Sequence, residues 1–259
     1  MMMTNDININ VEEIKRKLRM MRLPALAEAF DEQLKEPERF AGMTFADRIA
    51  LLVDSEYESE ENHRIERLIK KAGFALPSAR LADLKYLPDR HLPKDIVQIL
   101  ATNQYVEDNI NVIVMGATGS GKTYISNALG INACEAGYKT LYVRLPNLFR
   151  EMEAAKKLDS YNKVLEKYHN IPLLIIDEFM LVPTNVMQQT DLLELMETRC
   201  GHTSTIFCSQ YAPRGWIEKM ENKTLAESII DRIEPLSYKL NLKGDTSMRK
   251  IIADELLNN

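Results

Sequence analysis

Residues 111 to 123, NVIVMGATGSGKT, constrain this chain more than any other stretch. An apolar, strand-like run feeds straight into Gly116-Ala117-Thr118-Gly119-Ser120-Gly121-Lys122-Thr123, and a helical pattern to Glu135 begins at Lys122. Glycines in such a loop let successive backbone N–H groups wrap an anion with no Cβ in the way. The N-terminus of the following helix adds partial positive charge. The spacing therefore predicts a phosphate cradle for ATP. Lys122 reaches the β- and γ-phosphates, Thr123 ligates Mg²⁺, and Tyr124 directly behind them is counted with the nucleotide contacts. The bare pattern arises by chance in roughly one chain of this length in a hundred, and its strand–loop–helix setting makes chance far rarer.

The cradle sits inside an alternating pattern. After NVIVMG come KTLYVRL, IPLLIIDE, STIFCSQ and SYKLNL, five β-rich apolar runs separated by helical stretches. Such alternation predicts an α/β domain with a five-stranded parallel sheet covered on both faces. Residues 11 to 75 read instead as helices, with a break at Pro24, an end at Pro37 and Gly42, and a fresh start where Thr44 caps and Asp47 follows three residues on. A connection carrying Pro77, Pro88 and Pro93 joins the two parts. The expected division is a helical N-terminal domain over 1–78, for DNA or a partner, and a nucleotide-hydrolysing domain over 79–259. With 45% hydrophobic and 27% charged residues, the chain has the composition of a soluble globular protein. No apolar run approaches the roughly 18 residues of a membrane span, and no signal core opens the chain, so a cytoplasmic location is expected. Three cysteines without a CxxC pair argue against disulfides and structural zinc.

Three further motifs choose among phosphate chemistries. Asp177 and Glu178 end a buried strand; Asp177 is placed to hold Mg²⁺ through its water shell. Alternation along a strand points Glu178 to the other face, where it can polarise an attacking water. A pair of acids there suits hydrolysis, whereas a kinase must exclude water. Ser209-Gln210 ends a neighbouring strand, where a polar side chain can orient that water or touch the γ-phosphate; Gln210 is favoured over Ser209. Arg232 closes a helix around 226–232. It either caps that helix, pairs with a surface acid, or enters a neighbouring subunit's site as an arginine finger.

These pieces, in this order, resemble the AAA+ ATPases. The N-terminal stretches LRMMRLPALAEAFDEQL and FADRIALLVDSEYESEENHRIERLIKKAGF, and LKGDTSMRKI near the end, are similar to the DnaC/IstB group and within it to the IstB family of insertion-sequence helper ATPases. The resemblance covers almost the whole chain. It implies ATP and Mg²⁺ contacts at Lys122 and Thr123, a hydrolytic pair at Asp177 and Glu178, a first sensor at Ser209-Gln210, an arginine finger at Arg232 and a second sensor at Arg249. It also implies an ATP-dependent homo-oligomer on duplex DNA that selects target DNA and stimulates a partner transposase. After SYKLNL 17 residues remain, too few for the usual helical lid domain, so the lid is expected to be absent or truncated. The cradle lacks the family's common proline, and SEENHR puts acids where the family tends to be basic.

Three stripes of cations are candidate DNA contacts: Lys15, Arg19 and Arg22; Arg64, Arg67 and Lys70; and Arg150, Lys156, Lys157 and Lys163. Each is equally readable as a solvated helix face balanced by nearby acids. Net charge is −5, so DNA binding has to come from local faces, through phosphates and with little sequence preference. A replicative helicase loader with the same core, a small-molecule kinase and a non-hydrolysing clamp are the rival readings.

Overall fold

The computed structural model describes residues 10–87, 90–244 and 247–257, with the backbone alone for Arg90, Arg249, Ile252, Glu255 and Leu256. The chain divides into two compact units, one ending at Glu66 and the other starting at Arg67.

The first unit is helical. Helix α1 (Val11–Met20) starts where the Asn10 side chain accepts from Glu13 N at 3.1 Å. Helices α2 (Pro24–Lys35) and α3 (Pro37–Phe40) both open on a proline. A missing N–H costs nothing in a first turn, so Pro37 begins a short helix as well as ending the one before it. Helix α4 (Phe45–Ala72) starts at the expected signal: Thr44 N donates to Asp47 Oδ2 at 3.0 Å and Asp47 N to Thr44 Oγ1 at 3.2 Å. Within this unit buried Glu56 of α4 accepts from Leu26 N at 2.8 Å, which caps α2 from another helix. Lys15 and Asp31 tie α1 to α2 at 2.7 Å.

The second unit is built on a sheet. Its elements run β1 (Arg90–His91), α5 (Lys94–Ala101), α6 (Gln104–Glu107), β2 (Asn111–Gly116), α7 (Lys122–Glu135), β3 (Thr140–Arg144), α8 (Leu145–Lys157) and α9 (Tyr161–His169). Then follow β4 (Leu173–Phe179), α10 (Val186–Arg199), β5 (Ser204–Ser209), α11 (Pro213–Glu218), α12 (Lys223–Ile233), β6 (Ser237–Gly244) and α13 (Met248–Leu257). Strand order is β1-β6-β2-β5-β4-β3. The five predicted strands pair in parallel, and two-residue β1 adds an antiparallel edge against β6.

Alternation along the strands sorts the core into two layers. Val112, Val114, Leu173, Ile175, Ile206 and Cys208 pack on one side with α7 residues such as Leu129 and Ile131. Ile113, Leu174, Ile176 and Phe207 face the other side, against Leu148 and Met152 of α8, Leu195 of α10 and Ile229 of α12. Buried Arg199 ends α10 beneath this second layer. Its guanidinium donates to the carbonyls of Tyr168, His169, Ile171 and Ser204 and to the Thr205 hydroxyl. One side chain thereby gathers the end of α9 and the starts of β4 and β5. Burial pulls its pKa down to about 9, which still leaves it charged at neutral pH. Among the described residues, no helix is long and apolar enough to cross a membrane.

Candidate active site

Parallel strands present their C-terminal ends at one edge of the sheet, and the loops there form the crevice in which such folds bind ligands. The cradle lies at the end of β2. Gly116 has φ +155, and a Cβ there would meet the Leu242 carbonyl at 2.5 Å and Ser120 Oγ at 2.6 Å. Gly119 has φ +79, and a Cβ there would run into the Ser247 side chain. Any other residue type at these two positions is strained, and it forces the Leu242 backbone or the Ser247 side chain to shift. Lys122, the first residue of α7, turns its ammonium back on the loop and donates to Gly116 O at 2.7 Å and Ala117 O at 2.8 Å. Thr123 donates to Asp177 Oδ2 at 2.8 Å.

Asp177 is 5% exposed and fully engaged. The Tyr142 hydroxyl also donates to Oδ2, at 2.8 Å, and Glu178 N donates to Oδ1 at 2.7 Å. Glu178 departs from simple alternation. The β4–β5 register shifts between Ile176 and Phe179, and Glu178 takes φ +56. A left-handed non-glycine residue costs about 1–2 kcal/mol, and such strain gathers at functional sites. The bulge gives Glu178 its own direction, and its carboxylate meets Arg144, Nη2 to Oε1 2.7 Å. Alternation alone therefore misplaces Glu178: this carboxylate is held by a guanidinium on β3.

Gln210 Nε2 donates to Thr118 Oγ1 at 2.8 Å, so this side chain lies against the cradle. Ser209 is buried; it donates to Phe179 O at 2.8 Å and accepts from Trp216 Nε1 at 2.9 Å. The structure thus separates the two candidates, with Ser209 in the frame and Gln210 at the loop. Met248 N donates to Gly119 O at 2.9 Å, which brings the start of α13 to the cradle. The side chain of Arg249, the expected second sensor, lies outside the described residues. Arg232 donates to Ser228 O at 2.9 Å and pairs with Glu197 of α10 at 2.7 Å.

Beside the loop lies a cavity of about 330 Å³, lined by Leu84, His91, Leu92, Tyr124, Leu242 and Met248 among others. Its apolar walls suit a purine. Tyr124 was expected at the nucleotide, and Leu242 and Met248 fall in the LKGDTSMRKI stretch noted above, whereas Leu84, His91 and Leu92 carry no motif that a reading of the chain could catch. Tyr124 is anchored as well, since its hydroxyl meets the backbone N and O of Arg80, each at 3.3 Å. ATP and Mg²⁺ pass the test of fit. A base-sized cavity abuts a cradle in which Gly116 and Gly119 leave no room for a Cβ, a lysine already bonds to carbonyls on that cradle, and a hydroxyl–carboxylate pair stands at its rear.

The candidate DNA contacts fare unevenly. Arg22 does not continue the α1 face: it has φ +63 in the turn beyond the helix end, because the chain must reverse before Pro24. Lys15 is 12% exposed, held by Asp31 and Glu12. Arg19 is exposed. Arg64 pairs with Glu61 at 3.1 Å; Arg67 and Lys70 are exposed further along α4. Lys156 is paired with buried Asp191 at 2.5 Å and Lys157 with Glu153 at 2.7 Å, whereas Arg150 and Lys163 stand exposed.

A family model described as IstB-like ATP binding protein matches residues 16–254. A Pseudomonas fluorescens protein, named for ATP binding and for insertion sequence IS1162, is 34% identical over 194 residues, covering 75% of this chain and 84% of the relative. A Sinorhizobium fredii protein named in the same terms, y4uH, is 30% identical over 234 residues, 90% of this chain and 93% of the relative. Among solved structures, DnaI aligns with a TM-score of 0.56 at 20% identity, over 69% of this chain and 94% of that one. The replication initiator DnaA, bound to AMPPCP and single-stranded DNA, aligns with a TM-score of 0.54 at 18% identity, over 70% and 55%. Sheet order, cradle, acids and these likenesses agree: the chain belongs to the IstB-like ATP-binding protein family, ATPases with the AAA+ P-loop fold.

Proposed function

We propose that this ATPase is a switch that assembles on duplex DNA when ATP is bound and serves transposition, marking target DNA and stimulating a partner transposase. In this reading Lys122 and the cradle hold the triphosphate, and Thr123 and Asp177 hold Mg²⁺, whose charge, when bound, offsets that of the phosphates. Glu178 polarises the attacking water, Gln210 meets the γ-phosphate side, and Arg232 of a neighbouring protomer completes the site.

The observation that carries the switch is the 2.7 Å pair of Arg144 and Glu178. A carboxylate engaged by a guanidinium of its own chain is turned away from general-base work. Turnover by the lone chain is then slow, and it rises when assembly or DNA draws Arg144 aside. Arg144 directly precedes α8, on which exposed Arg150 sits, so a load on that helix is felt next to Glu178. The insertion-sequence names of relatives at 34% and 30% identity support the transposition output. DnaA with nucleotide and single-stranded DNA supports the view that this fold accommodates both. Lys156 and Lys157 are committed to acids, while Arg19, Arg22, Arg67, Lys70, Arg150 and Lys163 are exposed, so DNA contact through these cations is expected to be phosphate-directed and to weaken with salt in proportion to the number engaged.

The test is ATP turnover with and without duplex DNA across a salt series, with particle size read in parallel. Stimulation by DNA that fades with salt, together with ATP-dependent large particles, is the expected result. A monomer that hydrolyses ATP at full rate whatever DNA is added overturns the proposal. The likeness to DnaI and to the DnaC helicase loader favours a second reading, a helicase as client. Adding a replicative helicase or an insertion-sequence transposase to the same assay separates the two.

A further inference from the structure

We infer that Tyr142 is a positioning residue for the metal-bound nucleotide: through its hydroxyl it fixes Asp177, and so it sets affinity for the metal–ATP complex and not for ATP alone. The inference rests on the Mg²⁺ part of the function proposed above.

Strand register carries it. Tyr142 on β3 lies opposite Ile175 on β4, and Arg144 lies opposite Asp177. Residues two apart on a strand share a face, so Tyr142 stands on the Asp177 side of the sheet and one step back. A phenol is long enough to cover that step, and its hydroxyl donates to Asp177 Oδ2 at 2.8 Å. Oδ2 also accepts from Thr123 Oγ1 at 2.8 Å, and Oδ1 accepts from Glu178 N at 2.7 Å. Three donors from three elements thus fix the plane of one buried carboxylate.

Their roles differ. Thr123 and Glu178 both belong to the proposed chemistry and have to answer to nucleotide and water. Tyr142 stands outside that chemistry and meets Asp177 from behind, with its ring half-buried among the apolar side chains beneath α7. A phenol ordinarily loses its proton only at about pH 10, so the hydroxyl remains a donor at neutral pH. Groups that orient a metal-holding side chain from behind commonly change metal affinity or activity by tenfold or more when removed.

The experiment is equilibrium binding of a fluorescent ATP analogue to the full chain, first in EDTA and then across a Mg²⁺ titration. Tyr142→Phe keeps the ring and removes the donor. Binding in EDTA is expected to match wild type, and the half-saturating Mg²⁺ concentration to rise about tenfold. A Tyr142→Phe titration that overlays wild type overturns the assignment. In an Asp177→Asn background the tyrosine substitution is expected to add nothing, since it acts through that carboxylate. Multiplying effects would show a separate role and also overturn it. Melting temperature without nucleotide guards against a folding defect, and Tyr142→Leu, which removes ring and donor together, is the comparison: a metal effect in Tyr142→Leu with none in Tyr142→Phe assigns the effect to packing and sinks the proposal. A wild type indifferent to Mg²⁺ would overturn the metal reading and the tyrosine's role together, whereas a metal-dependent wild type matched by Tyr142→Phe overturns the tyrosine alone.

Discussion

The Arg144 side chain is 52% exposed, so solvent screens its hold on Glu178. An ion pair of this kind is worth at most about 1 kcal/mol. Arg144→Ala is accordingly expected to raise DNA-independent ATP turnover by no more than about fivefold and to narrow the gap between free and DNA-stimulated rates. Unchanged basal turnover would mean that the pair does not restrain Glu178. Glu178→Gln is expected to bind ATP normally and to lose about a hundredfold or more in turnover, as removal of a general base commonly does. Nucleotide binding and single-turnover hydrolysis, measured side by side, check both parts. At this scale the sequence was readable wherever chemistry is written in consecutive residues. Gly116 to Thr123 and Asp177-Glu178 are such runs, and all of them meet at one edge of the sheet. Tyr142 and Arg144 escaped because their roles depend on the β3–β4 register, which places them beside acids more than thirty residues away.

At the scale of elements, the fold depends on one buried cation. Arg199 spends its N–H groups on four carbonyls and a hydroxyl from α9, the start of β4 and β5. Arg199→Leu removes the charge and leaves those carbonyls unsatisfied in an apolar layer, at a cost of about 3 kcal/mol or more. Denaturant unfolding of the two proteins measures it; a loss under about 1 kcal/mol would show that water takes over the carbonyls. In the helical unit, Asp31 accepts from Lys15 first and Lys35 second, and these hold its pKa at about 2, below the ordinary 3.8. A depressed carboxylate stabilises the fold above its unfolded pKa and loses that contribution as pH falls through the folded value. The melting-temperature gap between wild type and Asp31→Asn is therefore expected to be full at pH 7, to shrink from about pH 5 downward and to vanish only below about pH 2. Elements of both kinds were legible from periodicity and capping signals. The interruption at Arg22 and the bulge at Glu178 were not, since each comes from a left-handed residue that side-chain patterns do not encode.

At the scale of the whole molecule, a site shared between copies has a direct test. Lys122→Ala is expected to abolish ATP binding, and Arg232→Ala to bind ATP yet hydrolyse it poorly. A mixture of the two is expected to regain turnover, because each supplies what the other lacks; an inert mixture places Arg232 at its own subunit's helix, where Glu197 already meets it. The layered α/β architecture was readable from alternating strands and helices, and strand order was not, because nothing local says that the last strand pairs with the one that carries the cradle. Strand β6 lies between β1 and β2 and pairs with β2 from Asn111 to Gly116. It also contributes Leu242, whose carbonyl faces Gly116 and whose side chain lines the base-sized cavity. On the ribosome β6 emerges after the other five strands of the described residues, so the phosphate loop of a nascent chain is translated long before the wall that shapes it. Competence to bind nucleotide is thereby coupled to synthesis of β6, and a polypeptide cut before Leu242 carries the motif without that wall of the pocket.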